Sequence, residues 1–502
     1  METVLDIQPR ESSRSMWIWF APVQAAAAFT VFAIASGGQV LRTWLLSALV
    51  WVMAMPLFIG LEAGLMAMML FEPFRGLARR AQYLFVDYAA QDPIHVLTPI
   101  TTLCALALLI RSRRLEMFVA TPLAGTVSVL AAIYFLEIFN PLQGGLMIGL
   151  GGALFMLVPL VWFYFGQSVD EIFINRALRV MIVIGIVTSA YGIYQLTWGY
   201  PAFEQYWIDN TDFYESINVG HVRRALATFS SAEEWGRYAE IGAIAAFGFV
   251  AGKKRLMARA GWFICGAALI GAVFLTGQRT AIFGLLAGIA SLILLGANSL
   301  PRAIVRLGLL LLPIILIVIF VPPPSEQEMW SKSDKETVST LLSHAQRGTL
   351  KPAGEESFQV RLENWSYLLT SVIPYRPLGA GLGAGSLSEA RFGSSESNLP
   401  PIDSFILVLA IACGFPGALL FIWILGRSTW FAIGNARSRD DEGSVLTRRI
   451  IAAIMPALIL NSVFGLTFSL YSVAPLAWLF IGWISRERLR LEQQTEREII
   501  TI

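Results

Sequence analysis

The chain reads as a succession of apolar blocks, each closed by a short polar or basic stretch. The blocks run to roughly 17–25 residues, the length that crosses a hydrocarbon core of about 30 Å. In lipid every backbone polar group must be satisfied within the chain, so such blocks are predicted to be helices. A soluble protein would instead show alternating or 3.6-period polar faces throughout. The first block, Trp17 to about Ser36, is long and lacks a small-residue cleavage site, so it reads as a span and not a signal peptide. The expectation is an all-α polytopic transmembrane helix bundle of about 12 spans.

Composition agrees: 56% of residues are hydrophobic and 14% charged, with a mean hydropathy of +0.63. The net charge of +2 implies no global electrostatic partner, and nothing points to nucleic acid. Cys104, Cys265 and Cys413 all fall inside apolar blocks, as packed thiols do. They make neither a disulfide framework nor a metal cluster.

Basic residues mark the cytoplasmic side. On that rule Arg486, Arg488, Arg490, the stretch Arg427 to Arg449, Arg302, Arg306, Lys253 to Arg255, and Arg111 to Arg114 lie inside. Two long polar segments then fall outside, at about 199–234 and 323–400. The N-terminal part does not close: Arg75, Arg79 and Arg80 also look cytoplasmic, yet one apolar block separates them from Arg111. Either Tyr83 to Ala90 lies in the interface, or the block at 42–71 is not a single span. No transporter-type internal repeat is visible.

Loops this long are usually functional. In the longer one, Glu326 to Ala345 reads as a polar helix. Val360 to Val372 puts Leu362, Trp365, Leu369 and Val372 on one stripe, as in a helix lying on a membrane surface. Arginines gather at the outer ends of spans. Arg223 and Arg224 precede Ala225 to Phe229, Arg279 sits in the turn Thr276 to Thr280, and Arg361 opens the amphipathic helix. Such cations either snorkel to headgroups or pair with an anion. Arg279 breaks the charge rule, which favours the second reading, and guanidinium forks suit carboxylates and phosphates.

The run Pro377 to Gly385 carries glycine at 379, 381, 383 and 385, which lets backbone approach either a ligand or another helix. It follows no strand, so a nucleotide loop is a poor reading. Asp403 begins the next span, which is interrupted by Gly414-Phe415-Pro416-Gly417. Asp403 is either an N-cap or a general base.

At these residues the chain resembles the bacterial O-antigen ligase and polysaccharide polymerase family. The family's elements read here as Arg224 to Phe229, Thr276 to Thr280, Arg361 to Gly385, and Asp403 to Gly417, with Tyr191 to Gln195 before the first loop. The likeness covers about 190–425, so 1–190 reads as N-terminal helices, 191–425 as the ligase/polymerase-like core, and 426–502 as a terminal hairpin with a cytoplasmic tail. It implies a metal-independent glycosyltransferase without cofactor, facing the periplasm from the inner membrane. The donor it implies is an undecaprenyl-pyrophosphate-linked oligosaccharide, in exopolysaccharide or O-antigen biosynthesis. Asp403 stands where ligases carry histidine, which favours a polymerase over a ligase acting on lipid A-core or protein.

On this reading Arg279 and Arg224 stabilise the leaving pyrophosphate, with Arg361 third. Asp403 deprotonates the acceptor hydroxyl, with Glu233 and Glu234 as competitors. Arg223, Gly379, Gly381 and Gly383 complete the donor site. His221 and His344 stand alone and make no metal site. A chain-length regulator is an expected partner besides membrane lipid. The rival class is a flippase for the same lipid-linked sugars. It needs charged groups at mid-membrane, for which Glu62, Glu137 and Glu240 are the candidates.

Overall fold

A computed structural model describes residues 40–87, 92–113, 121–211, 218–219, 222–223, 224–252, 255–297, 299, 301–308, 356–386, 388–389, 399–438 and 442–501. The span expected at about 17–36, the helix expected at 326–345, and Lys253, Lys254, Arg114, His221 and His344 lie outside the described residues. The described chain is all-helical but for a two-residue antiparallel ladder, in which Asn218 pairs with Arg223.

Among the described residues six helices are long and apolar enough to cross a membrane, and three shorter ones are as apolar. In chain order the helices are α1 (Val40–Ala54), α2 (Leu61–Phe71), α3 (Arg75–Ala81), α4 (Leu97–Arg113), α5 (Ala124–Glu137), α6 (Leu146–Phe155), α7 (Leu157–Ser168), α8 (Glu171–Trp198), α9 (Ala202–Asn210), α10 (Ala232–Ala251), α11 (Leu256–Leu275), α12 (Arg279–Leu295), α13 (Glu356–Tyr367), α14 (Phe405–Ala412), α15 (Gly414–Arg437), α16 (Glu442–Val463) and α17 (Ala474–Thr501). Residues 301–308 are also helical.

The block at 42–71 is two helices. Pro56 opens a short 3₁₀ turn, Met55–Phe58, which ends α1, and α2 runs back beside it. At the start of α1, Arg42 donates to the Asp87 carbonyl and lies over the Tyr83 ring. Glu62, at the start of α2, feels Asp170, Arg176 and Arg486 at the other end of the bundle. The pair is therefore a hairpin whose open end faces Tyr83.

That hairpin corrects the side given to Arg75, Arg79 and Arg80. All three are buried. Arg80 pairs with Glu204 of α9 at 2.7 Å, and Arg79 pairs with Asp92 at 3.3 Å. Arg75 pairs with Glu72 at 3.2 Å and lies over the Tyr471 ring. They belong to the end that carries the 199–234 loop, and the single block before Arg111 then fits. The charge rule counts cations that stay in water, and these are neutralised inside the fold.

The centre is α10, buried along nearly its whole length between α8, α11, α12 and α16. Glycines let neighbours come close: Gly166 of α7 meets the Leu479 backbone, and Gly482 of α17 meets that of Phe163. By contrast α11 leaves Leu256, Met257, Phe263 and Ile264 exposed, as a helix facing lipid chains would.

Candidate functional site

The segment after the second short strand, Val222–Arg223, is held from three sides. Successive side chains of an extended segment point to opposite faces. Arg223 turns out to α9, donating to Gln205 Oε1 at 2.6 Å with Asp209 at 3.8 Å. Arg224 turns in. Its carbonyl accepts the Tyr200 hydroxyl at 2.5 Å. Gln195 Oε1 accepts the amides of Leu226 and Ala227 at 3.1 and 2.7 Å. Arg80 donates to the carbonyls of Ala227 and Phe229 at 2.5 and 2.6 Å. Ala227 carries a left-handed φ of 50°, which this bracing sustains.

The Arg224 side chain is thereby set in a partly buried place. Burial pushes its pKa down to about 10, and the neighbouring Glu233 carboxylate opposes that shift. Its Nε is buried without a hydrogen-bond partner among the described residues. Arg279 opens α12 just after Gly277, whose φ of 66° makes the turn. The charges of Arg361 and Arg224 both act on Arg279. Three arginines from three parts of the chain thus converge, an arrangement that suits a multiply charged anion.

Arg361 of α13 reaches Asp403, donating from Nε to Oδ2. Trp365, one turn on, donates its indole N–H to Oδ1 at 3.1 Å and stacks on Phe464. Asp403 is not an N-cap: Ser404 holds that position and α14 begins at Phe405. Both carboxylate oxygens are oriented, and the side chain remains 40% exposed, so a substrate can reach it. The expected stripe shifts. A π-turn at Leu368–Val372 brings Leu368 inward, while Leu362 and Leu369 stay exposed beside Trp365 and Val372, which pack on the core. A cavity of about 280 Å³ adjoins the site. Its wall includes Phe155, Pro401, Glu389, Ile402, the residue before Asp403, and Leu466, whose amide bonds Glu233.

The glycine run serves packing between chain segments. Gly414, with a φ of 65°, breaks the span into α14 and α15. The freed carbonyls of Ile411 and Ala412 accept the amides of Ala380 and Gly381 at 2.8 and 3.1 Å, and the Phe415 amide donates to Pro377 at 2.9 Å. Gly379 and Gly381 carry left-handed φ values of 103° and 111°. A side chain at Gly379 would overlap the Ala412 carbonyl, at Gly381 the Gln143 side chain, and at Gly383 the Ile148 backbone. At these three positions the backbone comes close to other segments of the chain. The loop joins the α13 side of the site to the α14 side.

The two competing carboxylates differ. Glu234 is buried, and its oxygens accept the amides of Ser230 and Ser472 at 3.0 and 2.9 Å, which makes it a bracket between chain segments. Glu233 is a quarter exposed, with Oε1 near Arg237 and the Leu466 amide. Arg237 went unremarked in the sequence because its helix reads as apolar. Its signal is the spacing Glu233, Arg237, Glu240, which puts three charges on one helix face.

Residues 264–422 match the family model described as O-antigen ligase. The match takes in Arg279, Arg361, the glycine run, Asp403 and the Gly414 break, and stops short of Arg224 and Glu233. No curated protein matches the chain.

Proposed function

We propose that the chain, whose residues 264–422 match the family model described as O-antigen ligase, is a membrane glycosyltransferase that polymerises undecaprenyl-pyrophosphate-linked repeat units at the periplasmic face of the inner membrane. The observation that carries this reading is the convergence of Arg224, Arg279 and Arg361 beside Asp403 at one end of the bundle.

A lipid pyrophosphate gains negative charge as it leaves the sugar. Fixed guanidinium groups bind that charge more tightly in the transition state than in the ground state, which is what accelerates the step. Arg224 and Arg279 take this role, and Arg361 divides its fork between Asp403 and the donor. Asp403 accepts the proton of the acceptor hydroxyl, which attacks the anomeric carbon as the pyrophosphate departs. The carboxylate at 403, where the family's ligases carry histidine, supports polymerase over ligase.

A flippase is the weaker reading because the carboxylates it would use are engaged. Glu240 is bound by Arg237 and Asn461. Glu137 accepts from Asn140 at 2.7 Å at the end of α5, and Glu62 lies near Arg486 at the other end of the bundle.

The test is polymer length on gels from a strain lacking the protein, complemented with wild type, Arg279→Ala or Asp403→Ala at matched protein levels. Single repeat units on lipid with either variant, and long chains with wild type, are expected. Repeat units trapped on the cytoplasmic side in the deletion strain would point to a flippase.

A further inference from the structure

We propose that Arg237 is a positioning residue of the transfer site, fixing Arg279 through Thr280 and fixing Glu233 directly. The inference rests on the glycosyl-transfer reading above.

Glu233, Arg237 and Glu240 share one face of α10, and Arg237 and Glu240 are fully buried. Arg237 Nη2 donates to Thr280 Oγ1 at 2.6 Å and lies 3.5 Å from Glu233 Oε1. Its Nη1 donates to Asn461 Oδ1 and lies 3.6 Å from Glu240 Oε2. Asn461 Nδ2 in turn donates to both Glu240 oxygens, at 3.0 and 2.9 Å. One guanidinium therefore ties α10 to the first turn of α12 and to α16. Room is made for it: a side chain at Gly284 would overlap the Glu240 carboxylate, and one at Gly465 would come within 2.7 Å of Arg237.

A buried ion pair is a poor way to gain stability and a good way to fix one arrangement. The arrangement fixed here is that of the site. Thr280 follows Arg279 in the first turn of α12, so anchoring its hydroxyl sets the rotation of that turn and the direction of the Arg279 side chain. Glu233 carries the charge that acts on Arg224. A group misplaced by even 1 Å loses much of its effect on a transition state.

Thr280→Val removes the anchored hydroxyl at nearly constant volume and leaves Arg237, Glu240 and Asn461 in place. Thr280→Ser keeps the hydroxyl. With purified protein at matched folded amounts and a lipid-linked repeat unit as donor, Thr280→Val is expected to lower kcat about ten-fold with KM within about two-fold of wild type. Thr280→Ser should stay near wild type. In an Arg279→Ala background, Thr280→Val should add no further loss, because the two act through one group. Wild-type kcat in Thr280→Val, or a loss that adds in full to that of Arg279→Ala, overturns the positioning role. A wild-type protein that forms no glycosidic bond overturns the transfer reading itself, and this inference with it.

Discussion

Arg80 and Glu204 stand 124 positions apart and meet as a fully buried ion pair, Nε to Oε1 at 2.7 Å. The same carboxylate accepts from Tyr191 and Gln195 at 3.1 and 2.9 Å, and the same guanidinium holds the carbonyls of Ala227 and Phe229. The pair is the clamp on the segment that presents Arg224. Removing one partner leaves a buried charge uncompensated, at a cost of about 3–5 kcal/mol. Glu204→Gln and Arg80→Met should each lower the unfolding temperature in detergent. The double variant should lose less than the sum of the two. Additive losses would mean that the pair is not coupled.

Arg224 is expected to trade stability for function. Its charge is held in a partly buried place whose desolvation pushes its pKa down to about 10, and its Nε has no hydrogen-bond partner among the described residues. Arg224→Met relieves that desolvation and should raise the unfolding temperature by a few degrees while turnover falls about 100-fold or more. Pyrophosphate should stabilise the wild type against heat and leave Arg224→Met unmoved. Equal stabilisation of both by pyrophosphate would remove Arg224 from the anion site.

Asp403 is open to a substitution that keeps its shape. Asp403→Asn still accepts from Trp365 and loses both the charge facing Arg361 and the capacity to take a proton. Turnover should fall about 100-fold with protein level unchanged. Asp403→His supplies a different base. It should recover part of the turnover and lose it again as pH falls through about 6.5, where an imidazole gains its proton. Full turnover in Asp403→Asn would move the role of base to Glu233.

The Gly414 break is required by geometry. With a φ of 65° and the Pro377 carbonyl where a Cβ would sit, Gly414→Ala has neither the backbone conformation nor the space. Straightening the span would also strip the Ala380 and Gly381 amides of their acceptors. A loss of about 2–4 kcal/mol is expected, read as reduced folded protein in the membrane. The neighbouring exposed position Leu419 serves as control, since Leu419→Ala touches none of this.

Much of this was legible in the sequence, for identifiable reasons. A cation at a tight turn between apolar blocks, as at Arg279, is an exception that composition alone exposes. The Gly414 break and the Arg361–Trp365 helix are local patterns of the same kind. The charge rule misplaces Arg79 and Arg80 because their partners, Asp92 and Glu204, are recognisable only once the chain is folded; the partner of Arg75, Glu72, lies three residues before it. The glycine run is readable as a close approach, but what approaches is distant in the chain: the broken span at Gly414 lies some 30 residues on, and Gln143 lies 240 residues before Gly383. The inward stripe of α13 moved because a π-turn has no hydrophobic signature of its own.

The most direct measurement uses purified protein in lipid nanodiscs with undecaprenyl-pyrophosphate-linked repeat units as both donor and acceptor. The expected result is chain growth with one undecaprenyl pyrophosphate released per bond formed, and at least about a 100-fold loss of that release in Arg279→Ala at equal folded amount. Chain growth at the wild-type rate in Arg279→Ala, or no glycosidic bond formed by the wild type, would contradict it.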